Sequence, residues 1–230
     1  MSLIGLAYKI WNRLLPWLFH LLYHQFAFAY DWVAALVSGG MWKDYVLESA
    51  QFISDDPILE LGFGPGYLQE FFISQGKQIF GVDESRFMNQ RARERLQKTG
   101  FTIQQLGLCR GIAQNLPFRS ESFSTIVATF PTPYALDIRT IEECWRVLQD
   151  GGRVVILLGM RQGGNMLYSR FLRWLFGITR QTTGDSIMQS VWAERYLQQG
   201  FQVEQVWRDF QGDQLWFLLA EKGATPFANG

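Results

Sequence analysis

Glu60 stands inside a short apolar run, Ile58-Leu59-Glu60-Leu61, and the chain continues Gly62-Phe63-Gly64-Pro65-Gly66. A carboxylate next to a glycine-rich turn is a place to hold a polar, nucleotide-like ligand. Glycines accept φ > 0 and let a ligand approach where a Cβ would collide. A turn that runs into a helix is also expected to leave backbone N–H groups free for a polar partner. A second acid, Asp83, closes the next apolar run, Gln78-Ile79-Phe80-Gly81-Val82. The dinucleotide fingerprint is G-x-G-x-x-G with an acid about 20 residues on for the ribose hydroxyls. Gly62 and Gly64 obey it, but the third glycine falls one place early, at Gly66, and Tyr67 fills the required position. The pattern is E-x-G-x-G-x-G.

These groups must be carried by a βαβ unit: a buried strand ending near Leu61, a helix starting near Tyr67, and a strand ending at Asp83. Beyond it, Ser85 to Thr99 reads as a helix, and Phe101-Thr102-Ile103 as a third strand extending toward Leu108. Thr125 to Thr129 reads as a fourth strand, stopped by Pro131 and Pro133. Asp137 to Leu148 reads as a helix that ends at the Asp150-Gly151-Gly152 turn. Arg153 to Leu158 is a continuous apolar run, as expected of a strand covered on both faces. Met166 to Phe176 and Ser190 to Gln199 read as helices. Phe201 to Trp207 and Leu215 to Glu221 close the chain as strands joined through Gln211-Gly212. The alternation predicts a doubly wound α/β sheet.

The ordered motifs resemble the class I S-adenosylmethionine-dependent methyltransferases, and in pattern the small-molecule branch that includes the ubiquinone/menaquinone-biosynthesis C-methyltransferases. Besides the E-x-G-x-G-x-G turn, Asn115-Leu116-Pro117-Phe118 followed by Ser122-Phe123-Ser124-Thr125-Ile126-Val127 is similar to the family's run into strand four. Glu142-Glu143-Cys144-Trp145-Arg146-Val147-Leu148-Gln149-Asp150-Gly151-Gly152-Arg153 is similar to its helix, turn and strand five. The resemblance covers roughly residues 50–160 well. It implies a Rossmann-like, mostly parallel seven-stranded sheet with an antiparallel last strand and an N-terminal helical cap. The divisions are 1–49 for the cap, 50–222 for the core with a helical insertion near 160–185, and 223–230 for a frayed tail.

The resemblance also implies roles. The Gly62-Phe63-Gly64 turn and Gly66 would pass under the methionine and ribose of S-adenosylmethionine. Glu60 would meet the amino group, and Asp83 both ribose hydroxyls, since an ionised carboxylate offers two acceptor oxygens. Glu84 would lie beside the adenine edge. An acid often accepts from the adenine amino group just before Ala113, but here that place is Ile112. Ala113 would offer its N–H to the ring and Gln114 an acceptor for the amino group, with Ile112 as an apolar wall. Thr129 and Phe130 would line the mouth where the methyl is transferred. No catalytic residue is assigned. His20 and His24 sit four apart, on one face of a continuous helix, and Tyr30, Tyr134 and Asp137 are other polar groups near the expected mouth.

Composition sets limits. The chain has 230 residues, 48% of them hydrophobic, and 21 basic against 21 acidic side chains. It can bury a large core, and its zero net charge argues against a broad electrostatic surface for nucleic acid. Cys109 and Cys144 have no metal spacing and read as buried free thiols, and no metal site is expected. The apolar stretch from Leu14 to Tyr23 is broken by Pro16 and His20, with His24 and Gln25 just beyond, whereas spanning needs about 20 mainly apolar residues. Ala27-Phe28-Ala29 could pass for a signal-peptidase site, but Lys9 and Arg13 lie late for a leader. Two compatible readings follow: helices capping the cleft, and an interfacial helix with Trp11, Trp17, Phe19 and Tyr23 at the headgroup level. The protein is expected in the cytoplasm, with peripheral contact at the inner face of the membrane. The expected function is methyl transfer to a small hydrophobic acceptor: a quinone, phenol, isoprenoid or lipid precursor. A non-catalytic cofactor- or partner-binding relative is the second reading, kept by the missing adenine acid. An NAD-type oxidoreductase is the third, weakened by Tyr67.

Overall fold

The computed structural model of the chain describes residues 40–101, 107–131, 133–161 and 185–223. The expected cap before residue 40, with His20, His24 and Tyr30, lies outside these residues, as do the expected insertion beyond residue 161 and the tail from 224. Lys43–Gly163 and Ser186–Gly230 belong to one compact unit.

In chain order the elements are α1 (Trp42–Leu47), a 3-10 turn (Glu48–Phe52), β1 (Ile58–Leu61), α2 (Tyr67–Ser74), β2 (Ile79–Asp83) and α3 (Arg86–Lys98). Then come β3 (Gly107–Arg110), β4 (Phe123–Thr129), a 3-10 turn (Pro133–Leu136), α4 (Ile138–Val147), β5 (Leu148–Arg161), α5 (Asp185–Gln198), β6 (Phe201–Phe210) and β7 (Asp213–Lys222). The seven strands lie in the order β3-β2-β1-β4-β5-β7-β6. All neighbours are parallel except β7, which runs antiparallel to both β5 and β6.

Strand order reverses at β1. The chain moves outward from β1 to β2 and β3, then returns to place β4 on the other side. A crevice at the carboxyl ends of β1 and β4 is the consequence, and open α/β sheets bind ligands there. Every residue of β1 is buried, as are four of the five in β2. That burial demands apolar runs, so Glu60 and Asp83 are the exceptions that need a reason. One face is covered by α4 and α5, whose Ile141, Cys144, Val147, Trp192 and Tyr196 pack with Leu59, Leu61, Ile126 and Ile156. Phe63, Ala92, Leu96 and Leu108 form a second buried cluster.

The helix starts follow local chemistry. Ser85 Oγ accepts the Met88 N–H at 3.3 Å and starts α3, while Asp137 accepts the Arg139 N–H at 3.0 Å and starts α4. The β6–β7 hairpin turns through Gln211 and Gly212, both at positive φ (51° and 89°), as expected for a tight two-residue connection. Two expectations are corrected. The third strand is described as Gly107–Arg110, and Phe101, where it was expected to begin, instead bonds back from its N to Leu96 O at 3.1 Å and closes the end of α3; Thr102 and Ile103 lie outside the described residues. The fifth strand is longer than 153–158, because Leu148, the C-cap of α4, is already extended and pairs with Phe123; the Asp150-Gly151-Gly152 turn becomes an irregularity inside the strand.

Candidate cofactor site

The glycine turn sits at the end of β1, with Gly62, Gly64 and Gly66 at φ 68°, 51° and 81°. Its three glycine N–H groups are already committed. Gly62 N donates to Val82 O at 2.7 Å, Gly66 N to Phe63 O at 3.0 Å, and Gly64 N to Asp83 Oδ2 at 3.0 Å. At these three glycines the N–H groups are thus wired to β2 and to the turn itself, so any donors left for a ligand belong to other residues of the turn and the start of α2. A Cβ on Gly66 would stand 3.0 Å from Ala92 Cβ, so α2 and α3 touch there; a Cβ on Gly62 would stand 2.7 Å from the Tyr134 hydroxyl. A Cβ on Gly64 meets nothing within 4 Å, so this glycine faces open space. Arg95 braces the turn from α3, donating from Nε to Pro65 O at 2.9 Å with its guanidinium 4.4 Å from the Tyr67 ring centre.

Both acids are buried, Glu60 at 1% exposure and Asp83 at 2%. Asp83 is held by backbone: besides Gly64 N on Oδ2, Ser85 N donates to Oδ1 at 2.8 Å. Burial raises its pKa, against the lowering effect of those two N–H groups. Among the described residues Glu60 is bonded by Gln69 of α2, whose Nε2 donates to Oε2 at 3.0 Å. Burial pushes the Glu60 carboxyl from 4.5 up to about 8; the Gln69 bond lowers it and the Asp83 charge raises it further. Near neutral pH the ligand-free carboxyl is mostly protonated, and a cation beside it would draw it into the ionised form. Sequence reasoning did not anticipate Gln69. Its one signal is a polar residue on the face of α2 that also buries Leu68 and Phe72.

The third wall is the segment after β3. Ile112 is 48% exposed, so its apolar side chain is not part of the core. Ala113 and Gln114 are half-buried. Gln114 Nε2 donates to Asp137 Oδ2 at 3.4 Å, which orients the amide and leaves its oxygen as the end toward other partners. Glu84 is exposed, with its carbonyl accepting Arg110 Nε at 2.9 Å. A clamp from α4 holds this segment. Glu143 accepts the Leu116 N–H at 2.6 Å and pairs with Arg146 Nε at 2.7 Å, while Arg146 reaches Phe118 O at 2.8 Å and Leu116 O at 3.1 Å. The arginine lowers the Glu143 pKa. The acidic and basic residues of this motif thus serve the loop rather than a ligand. Arg146→Ala is expected to cost about 2 kcal/mol, because two backbone carbonyls and a carboxylate lose their donor. Hydrogen exchange at Leu116 should speed up more than in β1; equal acceleration at both would mean the clamp does not act locally.

The fourth wall is the end of β4. Thr129 is half-buried, and Phe130 takes φ 46°, uncommon for a bulky residue, with its N–H held by Leu157 O at 2.7 Å. Tyr134 donates to Leu61 O at 3.1 Å, tying the segment after β4 to the start of the glycine turn. Asp137 is engaged as the cap of α4 and with Arg139. The structure thus gathers Glu60, Gly62, Phe63, Gly64, Gly66 and Asp83 at the carboxyl ends of β1 and β2, with Asp83 bonded to Gly64 and Glu60 to Gln69. It places Ala113, Gln114 and Glu84 after β3 and β2, and Thr129 at the end of β4.

A family model described as a methyltransferase domain matches residues 58–152, a span that runs from β1 to the start of β5 and contains this whole arrangement. Over these residues the chain carries a methyltransferase domain of the kind found in S-adenosylmethionine-dependent methyltransferases, which it resembles. The demethylmenaquinone methyltransferase of Thermotoga maritima is 32% identical over 142 residues, 59% of this chain and 59% of that protein. A ubiquinone/menaquinone biosynthesis C-methyltransferase of Pectobacterium atrosepticum is 25% identical over 182 residues, 76% of this chain and 72% of its own length. The match thus spans less than two thirds of the Thermotoga relative. Among solved structures, Haemonchus contortus phosphoethanolamine N-methyltransferase 2, in complex with S-adenosylhomocysteine, gives a TM-score of 0.58 at 18% identity, covering 85% of this chain and 56% of that one. A geranyl diphosphate methyltransferase gives 0.56 at 12%, covering 78% and 77%. These two likenesses concern the fold. The methyltransferase cofactor, S-adenosylmethionine, carries an ammonium, ribose hydroxyls and a sulfonium. The site fits it on two counts: Glu60 is a buried carboxyl whose bond from Gln69 falls on Oε2 alone, and the space a Cβ would fill at Gly64 is open.

Proposed function

We propose that this methyltransferase moves the methyl group of S-adenosylmethionine to a small, apolar acceptor of quinone, phenol, isoprenoid or lipid type. The observation that carries the donor half is the buried Glu60 beside the open glycine turn, since a buried acid that the described residues give no cationic partner calls for a cationic ligand. The acceptor half is supported by relatives named for demethylmenaquinone and for ubiquinone/menaquinone biosynthesis.

In this reading Glu60 takes the cofactor's ammonium, and Gly62, Phe63, Gly64 and Gly66 form the surface under its methionine and ribose. Asp83 accepts from the ribose hydroxyls through lone pairs left over from Gly64 and Ser85. Glu84, the Ala113 N–H and the Gln114 amide oxygen serve the adenine, and Thr129 stands at the mouth. The bound cofactor supplies an electrophilic methyl on sulfur. The chain's own task is alignment: the wired turn and the clamped 113–118 segment hold their positions without the ligand, which lowers the ordering entropy left for binding. The acceptor's apolar contacts are assigned to segments 1–49 and 160–185 on their aromatic and aliphatic composition. Peripheral contact with the inner face of the membrane follows from the same composition; among the described residues no helix is long and apolar enough to cross one.

The test is methyl incorporation from labelled S-adenosylmethionine into a panel of quinones, phenols, isoprenoids, polar metabolites and RNA. Transfer to apolar members is expected, and transfer confined to polar metabolites or RNA would reject the acceptor class. The second reading, a cofactor-binding relative without turnover, is favoured by Ile112 standing where the adenine acid is usual. It would be upheld by S-adenosylhomocysteine binding with no acceptor methylated.

A further inference from the structure

Gln69 is fully buried, on a helix face otherwise apolar, and nothing in the roles assigned to the cofactor site requires it. Its Nε2 donates to Glu60 Oε2 at 3.0 Å and to Phe80 O at 3.2 Å. The second contact fixes the amide: a backbone carbonyl only accepts, so the nitrogen must face it, and the same nitrogen faces Glu60. The amide cannot turn over to accept a proton from Glu60 without losing the Phe80 bond. Gln69 Oε1 has no partner among the described residues, a burial cost that a plain apolar residue would avoid. The surroundings are tight as well, since a Cβ on Gly81 would stand 3.0 Å from Gln69 Nε2.

We propose that Gln69 is a positioning residue for the cofactor's amino group: its amide pins one oxygen of Glu60, leaves the other for the ammonium, and favours the ionised carboxyl that this pairing needs. The proposal rests on the assignment of S-adenosylmethionine to this site. Glu60 is neutral in the ligand-free protein near pH 7 and charged when paired, so binding releases a proton. Asp83 is the other charged group that bears on Glu60, and it opposes ionisation. Without the Gln69 N–H that opposition goes unanswered, and Glu60 ionises only at higher pH.

The experiment is calorimetric titration of the full chain with S-adenosylhomocysteine between pH 6 and 9, in two buffers of different ionisation enthalpy, on the unmodified chain, Gln69→Met and Glu60→Gln. Methionine keeps the length and bulk of glutamine without the donor. The unmodified chain is expected to release close to one proton at pH 7. Gln69→Met is expected to bind about tenfold more weakly at pH 7, because a carboxyl that ionises one pH unit later gives up a factor of ten, with the deficit closing by pH 9. An equal loss at every pH would mean that Gln69 only packs, and an unchanged profile would mean that it does nothing; either overturns the proposal. Glu60→Gln should abolish proton release, and release that persists also overturns it, which keeps the test open should Gln69→Met not fold. Absence of binding by the unmodified chain removes the cofactor assignment itself, and the proposal with it. Binding with proton release that survives Gln69→Met unaltered leaves that assignment standing and removes only the role of Gln69.

Discussion

Asp83→Ala is expected to lower stability by about 3 kcal/mol and to weaken S-adenosylhomocysteine binding by at least about 100-fold. The stability loss has a specific origin. Asp83 satisfies two backbone donors, Gly64 N and Ser85 N, and it links the glycine turn to the start of α3. Charge-assisted bonds of this kind contribute more than neutral ones, and removing the carboxylate leaves both donors without it. One effect works the other way, because loss of the Asp83 charge relieves Glu60. It is the smallest of the three influences on Glu60, so the lost bonds win. Binding suffers twice: the hydroxyl acceptor goes, and the turn that forms the floor loses its tether. Urea unfolding and calorimetry check the two halves separately. Unchanged stability would show that the turn stands without the link, and unchanged affinity would show that the ligand does not use this acid.

The sheet and its βαβ unit could be read from the residues because buried parallel strands demand apolar runs, and Ile58–Leu61, Ile79–Asp83 and Arg153–Leu157 supply them. The hairpin at Gln211-Gly212 was readable for the same kind of reason, a turn chemistry with few alternatives. The start of β3 was not. Phe101 has strand character by type, but the local bond back to Leu96 competes for it and wins. At the site, residue type located Glu60, the glycines and Asp83, because few other roles suit those residues in that order. It did not locate what they bond to. The turn's glycine donors turned out to be spent on Val82, Phe63 and Asp83, which depends on how β1 and β2 lie side by side. Gln69 lies nine positions from Glu60 but one hydrogen bond away, a proximity created by α2 folding back over the sheet. Likewise Glu143 and Arg146 read as motif letters, and only packing shows that they hold Leu116 and Phe118.

The ligand-free protein is expected to lose stability as pH rises from about 5 to 8, the reverse of the usual trend for a buried carboxylate that has a cationic partner. The sign follows from Glu60. Its carboxyl titrates at about 8 in the fold against 4.5 ordinarily, so the fold prefers the protonated form. That preference is fully present below about 4.5 and is lost as pH climbs through 8. Each pH unit between those limits is worth about 1.4 kcal/mol, so the whole range amounts to about 5 kcal/mol. Burial raises Asp83 as well, and it pushes in the same direction. Asp137 and Glu143 are lowered by Arg139 and Arg146, so their contributions grow with pH, but only across the ordinary carboxylate range below this window. Glu60→Gln imitates the protonated side chain and should flatten most of the slope, leaving the variant more stable than the unmodified chain at pH 8. Saturating S-adenosylhomocysteine should flatten it too, by supplying the cation that the carboxylate lacks. Melting temperatures from pH 5 to 8.5, with and without the ligand, decide the matter. A slope that survives Glu60→Gln would place the titrating group elsewhere. A slope removed by Glu60→Gln but untouched by the ligand would mean that the cation does not sit beside Glu60. In either case the site's charge logic would have to be rebuilt from Asp83.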